Sequence, residues 1–249
     1  MYLNTKGLVV RVTPYNDTDA LLSVLTPNHG KMTVKARGLR RKNSPLIAPC
    51  QLLAYADFTL FEYRNMYTIN DAHSVELFSA LRKDLQKLAL GSYFAQAAEM
   101  MSQEDLPNPE LLSLVLNCLY GLSKLNVPET MVKAVFELRS ACLSGYKPDL
   151  YGCYRCGCDT PDRFDLSAGR LECVACRDPG STGLRMPITP GVLDAMRYIC
   201  SCDSQRLFSF RASEDTLESL SYVTESYLST QLERGFSALD FYKSLLIPM

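Results

Sequence analysis

Through roughly the first seventy residues the chain alternates short apolar runs with polar positions at a period of two, as half-buried strands require. The runs fall at residues 8–12, 20–25, 32–36, 51–61 and 66–70, and turn signals such as Pro14-Tyr-Asn-Asp17 and Pro27-Asn-His-Gly30 separate them. Five short strands in so little chain suit a small closed barrel, because closure removes strand edges that would otherwise pair with other molecules. The pattern predicts an OB-type barrel.

After about residue 74 the period changes. Leu77, Leu81, Leu85 and Leu88 recur at three to four residues, the spacing of an amphipathic helix. Asn108-Pro109-Glu110 combines an N-cap, a first-turn proline and an acid favoured by the helix dipole, and predicts a helix to about Lys124. A further helix is expected from near Pro128 to near Gly145. Residues 146–187 interrupt the pattern with cysteine, glycine and proline, helical spacing resumes at Thr189-Pro190, and a last long helix is expected over about 213–234. The predicted fold class is α+β: an N-terminal OB-fold β-barrel over 1–75, then an α-helical domain over 76–249 with an inserted four-cysteine zinc module at about 150–180.

The interruption carries the strongest chemical signal. Cys153-Tyr-Arg-Cys156 and Cys173-Val-Ala-Cys176 form two C-x2-C knuckles across a sixteen-residue spacer. Each knuckle presents two thiolates, and two knuckles supply the four soft ligands of one tetrahedral Zn2+. Residues 153–176 hold almost no large apolar side chains apart from Tyr154, Phe164, Leu166 and Leu171, so the segment is expected to need a cross-link to fold. Cys158 offers an alternative to Cys156 through a C-x4-C pairing, and that choice stays open. Cys200 and Cys202 have no second partner pair, and with Cys50, Cys118 and Cys142 they read as core or surface thiols. A catalytic zinc needs an open coordination position beside a general acid or base, and neither His29 nor His73 stands in such a setting. The expected role is structural.

Composition adds two constraints. Ten cysteines would suit a secreted disulfide framework, but the N-terminal MYLNTKGLVVRV lacks a basic flank followed by an apolar core. No run approaches about 20 apolar residues either. A cytoplasmic protein with reduced or metal-bound thiols is expected, with no membrane partner. A net charge of −1 excludes a uniformly basic surface, so attraction for nucleic acid must come from a local patch.

Residues 31–44 contain such a patch: Lys31, Lys35, Arg37, Arg40, Arg41 and Lys42, with no acid among them. Strand alternation lines up Lys31, Thr33, Lys35 and Arg37, and Gly38 lets the backbone turn so that the later cations extend the stripe. Tyr15, Tyr55, Tyr63 and Tyr67 lie in or beside the same barrel as candidates to stack on bases. Phosphate-cradling, dinucleotide-binding and nucleophile-elbow motifs are all absent, so the chain is expected to act by binding energy and not as an enzyme. On these features alone, a zinc-stabilised RNA-binding or transcription-associated adaptor competes with a DNA-binding role.

The blocks Gly7-Leu-Val-Val-Arg11, Tyr15-Asn-Asp-Thr-Asp19, Leu25-Thr-Pro-Asn-His-Gly30, Ala36-Arg-Gly-Leu-Arg-Arg41 with Ser44, and Gly145-Tyr-Lys-Pro148 leading into the cysteines stand in order along the chain. Together they resemble the RecO family of bacterial recombination mediators and DNA repair proteins. The resemblance implies binding of single- and double-stranded DNA, annealing of complementary strands, and association with RecR. It also implies capture of the single-strand-binding protein's acidic C-terminal tail, and indirect action on RecA in a cytoplasmic, nucleoid-associated setting. It assigns DNA contact to Arg37, Arg40, Arg41 and Lys42, with Arg11 in the first-strand block, and one structural zinc per chain to Cys153, Cys156, Cys173 and Cys176; Lys35 joins the DNA-contact set from the strand alternation.

Overall fold

The computed structural model describes residues 1–176 and 183–247. The N-terminal strands are β1 (Tyr2–Pro14), β2 (Ala20–Thr26), β3 (Gly30–Ala36), β4 (Tyr55–Tyr63) and β5 (Met66–Glu76). They close into a barrel in the order β1-β2-β3-β5-β4. Neighbouring strands run antiparallel except at the seam, where β3 and β5 pair in parallel through Val34↔Tyr67 and Lys35↔Thr68. This five-stranded closure is OB-like.

Side-chain alternation fills the barrel. On β3, Met32, Val34 and Ala36 are buried while Thr33 is exposed and Lys31 and Lys35 are half-buried. Phe58, Leu60, Val9 and Leu22 share that interior, and Leu39 and Cys50 from the β3–β4 connection join it. Each large side chain so buried contributes about 1.5–3 kcal/mol relative to exposure. β4 begins at Tyr55 and not near residue 51, because Leu53 takes a left-handed φ of 66° that ends any extended run. Leu53 is instead buried, with its N–H donating to the Val9 carbonyl at 2.9 Å. β5 continues to Glu76, past the point where helical spacing begins, and a 3-10 turn over Ser79–Lys83 precedes the first α-helix.

The helices are α1 (Leu85–Met101), α2 (Pro109–Lys124), α3 (Glu129–Leu143), α4 (Pro190–Ser201), α5 (Glu214–Leu232) and α6 (Ser237–Leu245). Their starts follow local chemistry: Asp84, Asn108, Thr189 and Ser213 each accept a first-turn N–H on a side-chain oxygen. No described helix is long and apolar enough to cross a membrane. The chain divides into two compact units, Met1–Leu125 together with the stretch from Phe236, and Asn126–Gly235. The barrel thus shares the first unit with α1, α2 and α6. In the first unit α6 packs on α1, with the Phe236 ring edge-on to Tyr93 at 5.2 Å and Gln96 accepting the Ala238 N–H. The hydrophobic pattern assigns no element to α6.

The second unit joins α3, α4 and α5 to a small sheet of β6 (Asp149–Cys153), β7 (Arg163–Asp165), β8 (Arg170–Glu172) and β9 (Arg185–Pro187), ordered β6-β8-β7-β9. Between α3 and α5 a buried Lys133 pairs with Glu137 at 2.9 Å and Glu225 at 2.7 Å, and donates to Ser221. The sheet is fixed to α5 by Phe164, whose ring meets Tyr227 at 5.1 Å, and by Gln231 donating to the Leu166 carbonyl at 2.7 Å.

Gly169 closes the β7–β8 hairpin at φ +62°, and a Cβ there would lie 2.6 Å from the Tyr227 hydroxyl. That hydroxyl cannot retreat, since it donates to the Tyr146 carbonyl at 2.8 Å and its ring is buried. Gly169→Ala should therefore destabilise the protein by about 2 kcal/mol through combined backbone strain and overpacking. Urea denaturation checks this, and an unchanged midpoint would refute it.

Candidate nucleic-acid interface and thiol cluster

The basic block begins inside β3 and leaves it. Its first part is occupied by contacts within the protein. Lys31 Nζ donates to the Glu99 carbonyl at 3.4 Å, and Thr33 donates to Glu104 at 3.2 Å. Lys35 pairs with Asp19 at 3.1 Å and lies over the Tyr15 ring at 4.6 Å. Arg11, exposed on β1, pairs with Glu99 at 2.8 Å. No acid interrupts residues 31–44 in sequence, yet the fold supplies one from the β1–β2 turn.

Asp19 organises the loop that follows. It accepts the Gly38 N–H at 2.9 Å, while Arg40 donates its N–H to the Thr18 carbonyl at 2.9 Å and its guanidinium to the Asn16 carbonyl at 2.6 Å. The Gly38 N–H and the Lys35 ammonium hold the Asp19 carboxyl well below the usual carboxylate range. Gly38 itself sits at φ +67°, turning the chain out of β3 at the residue where the sequence pattern expects it. Arg37, Arg41 and Lys42 remain exposed, and no ion pair is formed by them among the described residues. Of the six cations expected to contact DNA, Arg37, Arg41 and Lys42 thus face solvent with their charge uncompensated, and Arg40 is exposed but tethered. Lys35 and Arg11 hold acids.

Of the four candidate stacking tyrosines, Tyr15 and Tyr63 are exposed and Tyr55 and Tyr67 are half-buried. Closure of the barrel places Tyr63 beside Tyr2, Phe61 and Met66 in an outer cleft with Arg37. Tyr2 and Phe61 carry no sequence signal for this, because only the β1–β4 register, Tyr2↔Phe61, brings them together.

In the second unit the sulfurs of Cys153, Cys156, Cys173 and Cys176 all lie within 4.8 Å of one another. Four thiolates about 2.3 Å from a tetrahedral ion are separated by about 3.8 Å, and Cys156 and Cys173 stand 3.9 Å apart. The residues present therefore fit a metal ion. Cys158 lies outside the foursome and pairs with the Thr160 hydroxyl at 3.4 Å. The end of the segment expected at about 150–180 lies outside the described residues.

Burial pushes the Cys153 thiol up, but N–H groups of Cys156, Arg155 and Cys173 outweigh it and bring it down to about 6. Hydrogen bonding to Cys156, with burial, pushes Cys176 up to about 11, and burial beside Cys153 and Cys156 raises Cys173 as well. A dication among these sulfurs would favour the full thiolate set. Elsewhere, Cys142 on α3 and Cys200 on α4 bring their sulfurs to 3.7 Å, a proximity invisible in their sequence spacing.

Residues 1–78 match the family model described as "Recombination protein O N terminal", and residues 82–240 match "Recombination protein O C terminal". The chain is 34% identical over 246 residues to the DNA repair protein RecO of Acetivibrio thermocellus, covering 98% of this chain and 97% of that one. It is 29% identical to the proteins of the same name from Alkaliphilus metalliredigens and Symbiobacterium thermophilum. Those alignments cover 98% and 97% of this chain and 100% and 97% of the relatives.

The Asp19 tether generates a pH prediction. Its folded-state pKa lies below its unfolded value, so its stabilisation is complete above about pH 4 and declines as pH falls toward the folded value. Asp19→Asn should be less stable than the natural chain at pH 7, and the gap should narrow in acid. Denaturation midpoints of the two proteins across that range check this; a gap independent of pH would contradict it.

Proposed function

Because the chain belongs to the RecO family of DNA repair proteins, which are mediators and not enzymes, we propose that it is a recombination mediator that binds single- and double-stranded DNA. In this reading it anneals complementary strands and, with RecR, helps load RecA onto DNA coated by single-strand-binding protein, whose C-terminal tail it also binds. The observation that carries the DNA-binding part is the exposed, uncompensated set of Arg37, Arg41 and Lys42 at the mouth of a closed barrel. A loop tethered by Asp19 presents these charges with little ordering left to do, which favours binding to a phosphate backbone. A chain without a nucleotide-hydrolysis motif can speed pairing only by holding and screening two like-charged strands.

Zinc is the ion proposed for the thiol cluster, since four thiolates at tetrahedral spacing select a soft, closed-shell site. Its role is structural: Cys153, Cys156, Cys173 and Cys176 would hold it and thereby tie β6 to the β7–β8 hairpin. Four sulfurs would fill a tetrahedral shell and leave no position for a substrate.

Two outcomes follow. Arg37→Ala, Arg40→Ala and Arg41→Ala together should weaken DNA binding irrespective of sequence and flatten the plot of log affinity against log salt by about two to three units. The triple variant should remain folded: Arg37 and Arg41 are exposed charges, each worth no more than about 0.5 kcal/mol, and Arg40→Ala removes one exposed side-chain hydrogen bond, to the Asn16 carbonyl, at about 1 kcal/mol. A folded variant with unchanged affinity and slope would defeat the proposal. Protein purified without chelator should carry one zinc per chain, and Cys176→Ser should lower both metal content and the stability of the second unit. Elemental analysis finding no zinc, with all four thiols open to alkylation, would defeat the metal assignment.

A further inference from the structure

The outer face of the barrel carries a feature that phosphate binding does not require. Tyr2, Phe61, Tyr63 and Met66 are 61%, 40%, 60% and 48% exposed, although each sits on a strand whose neighbouring residues bury apolar side chains normally. They line one cleft of about 340 Å³, whose wall also includes Arg37 and Thr68. Tyr2 and Phe61 are cross-strand partners with rings 5.3 Å apart and tilted by 55°. Tyr63 and Met66 face one another across the β4–β5 hairpin.

The hairpin is built to hold this face. Its two turn residues, Arg64 and Asn65, both take left-handed φ values, 50° and 59°, the form that matches the twist of a two-residue hairpin. Arg64 places its guanidinium 5.1 Å from the Tyr63 ring. The cleft is therefore aromatic in its floor and cationic at two edges, Arg64 on the hairpin and Arg37 where β3 ends. An apolar protein partner would gain nothing from that pair of arginines, whereas a ligand of planar rings joined by phosphates matches both features.

We infer that this cleft is a stacking site for unpaired bases, so that the chain holds single strands through rings and phosphates together and duplex through phosphates alone. The inference rests on the DNA-binding proposal above and extends it to strand form. In a duplex each base is already stacked on its neighbours and its face is closed to an external ring. In a single strand the face is open, and stacking on a protein aromatic strengthens binding with little regard to base identity. Removing a ring costs no counterion release, so the cleft and the basic loop are separable by salt.

The test uses the full chain with Phe61→Ala and Tyr63→Ala combined, against a thymidylate oligonucleotide, the same strand with abasic sugars, and a duplex of equal length. Binding to the thymidylate strand should weaken about ten-fold or more, with an unchanged salt slope. Binding to the abasic strand and to duplex should stay within about two-fold of the natural chain. Tyr63→Phe, which keeps the ring, should bind as the natural chain does, so a loss caused by misfolding of the double variant is recognised by equal weakening on all three ligands. Such equal weakening overturns the inference unless the single variants Phe61→Ala and Tyr63→Ala show the selective loss. Unchanged binding by the double variant, while the triple arginine variant loses affinity for every ligand, overturns the cleft and leaves the DNA-binding proposal standing. Unchanged DNA binding accompanied by lost binding of a protein partner identifies the cleft as a protein-docking face, and also overturns the inference. If the triple arginine variant too binds normally, the DNA-binding proposal falls as well.

Discussion

A two-pair parallel seam sets the geometry on which the proposed interface depends. Val34↔Tyr67 and Lys35↔Thr68 join β3 to β5, and with them the last open edge of the sheet is closed. The chain leaves β3 just beyond that seam, so the basic loop emerges beside the start of β5. The β4–β5 hairpin and the N-terminal end of β1 are brought to the same rim. Without closure, Arg37 would belong to a loop on one edge and Tyr63 to a hairpin on another.

The same rim shows how charge is distributed by tertiary contact. Asp19 withdraws Lys35 from the available cations and fixes Gly38, and Glu99 engages Arg11. What remains exposed without an ion pair among the described residues is a smaller set than the sequence block suggests. The second unit uses the opposite strategy. Its small sheet has few large apolar side chains, and its order comes from the Phe164–Tyr227 contact and the buried pairing of Arg185 with Glu172 and Asp165. The clustered thiols complete it.

Legibility in the sequence tracked the range of the forces involved. β2, β3 and the starts of α2, α4 and α5 were readable because alternation, proline and capping oxygens act within a few residues. The sulfur foursome was readable because C-x2-C spacing fixes local geometry. Less visible were features decided across the chain. β1 extends back to Tyr2 because β4 offers it a partner, although Asn4 and Lys6 break any apolar run. β4 starts late because Leu53 turns left-handed to reach the core. The Lys35–Asp19 pair, the Cys142–Cys200 approach and the placing of Tyr2 against Phe61 all join residues that no local spacing relates. α6 is nine residues long, with no side-chain cap, and its position is set by packing on α1.

On the proposed function, nucleic acid meets this protein on the barrel rim. Photo-cross-linking answers it most directly: the full chain is irradiated with a single-stranded oligonucleotide carrying halogenated pyrimidines, and the attached peptides are identified by mass spectrometry. The account predicts attachment within residues 37–42 and around Phe61 and Tyr63, at low salt and reduced as salt rises. Attachment confined to residues 126–235, with none on the barrel, would contradict it.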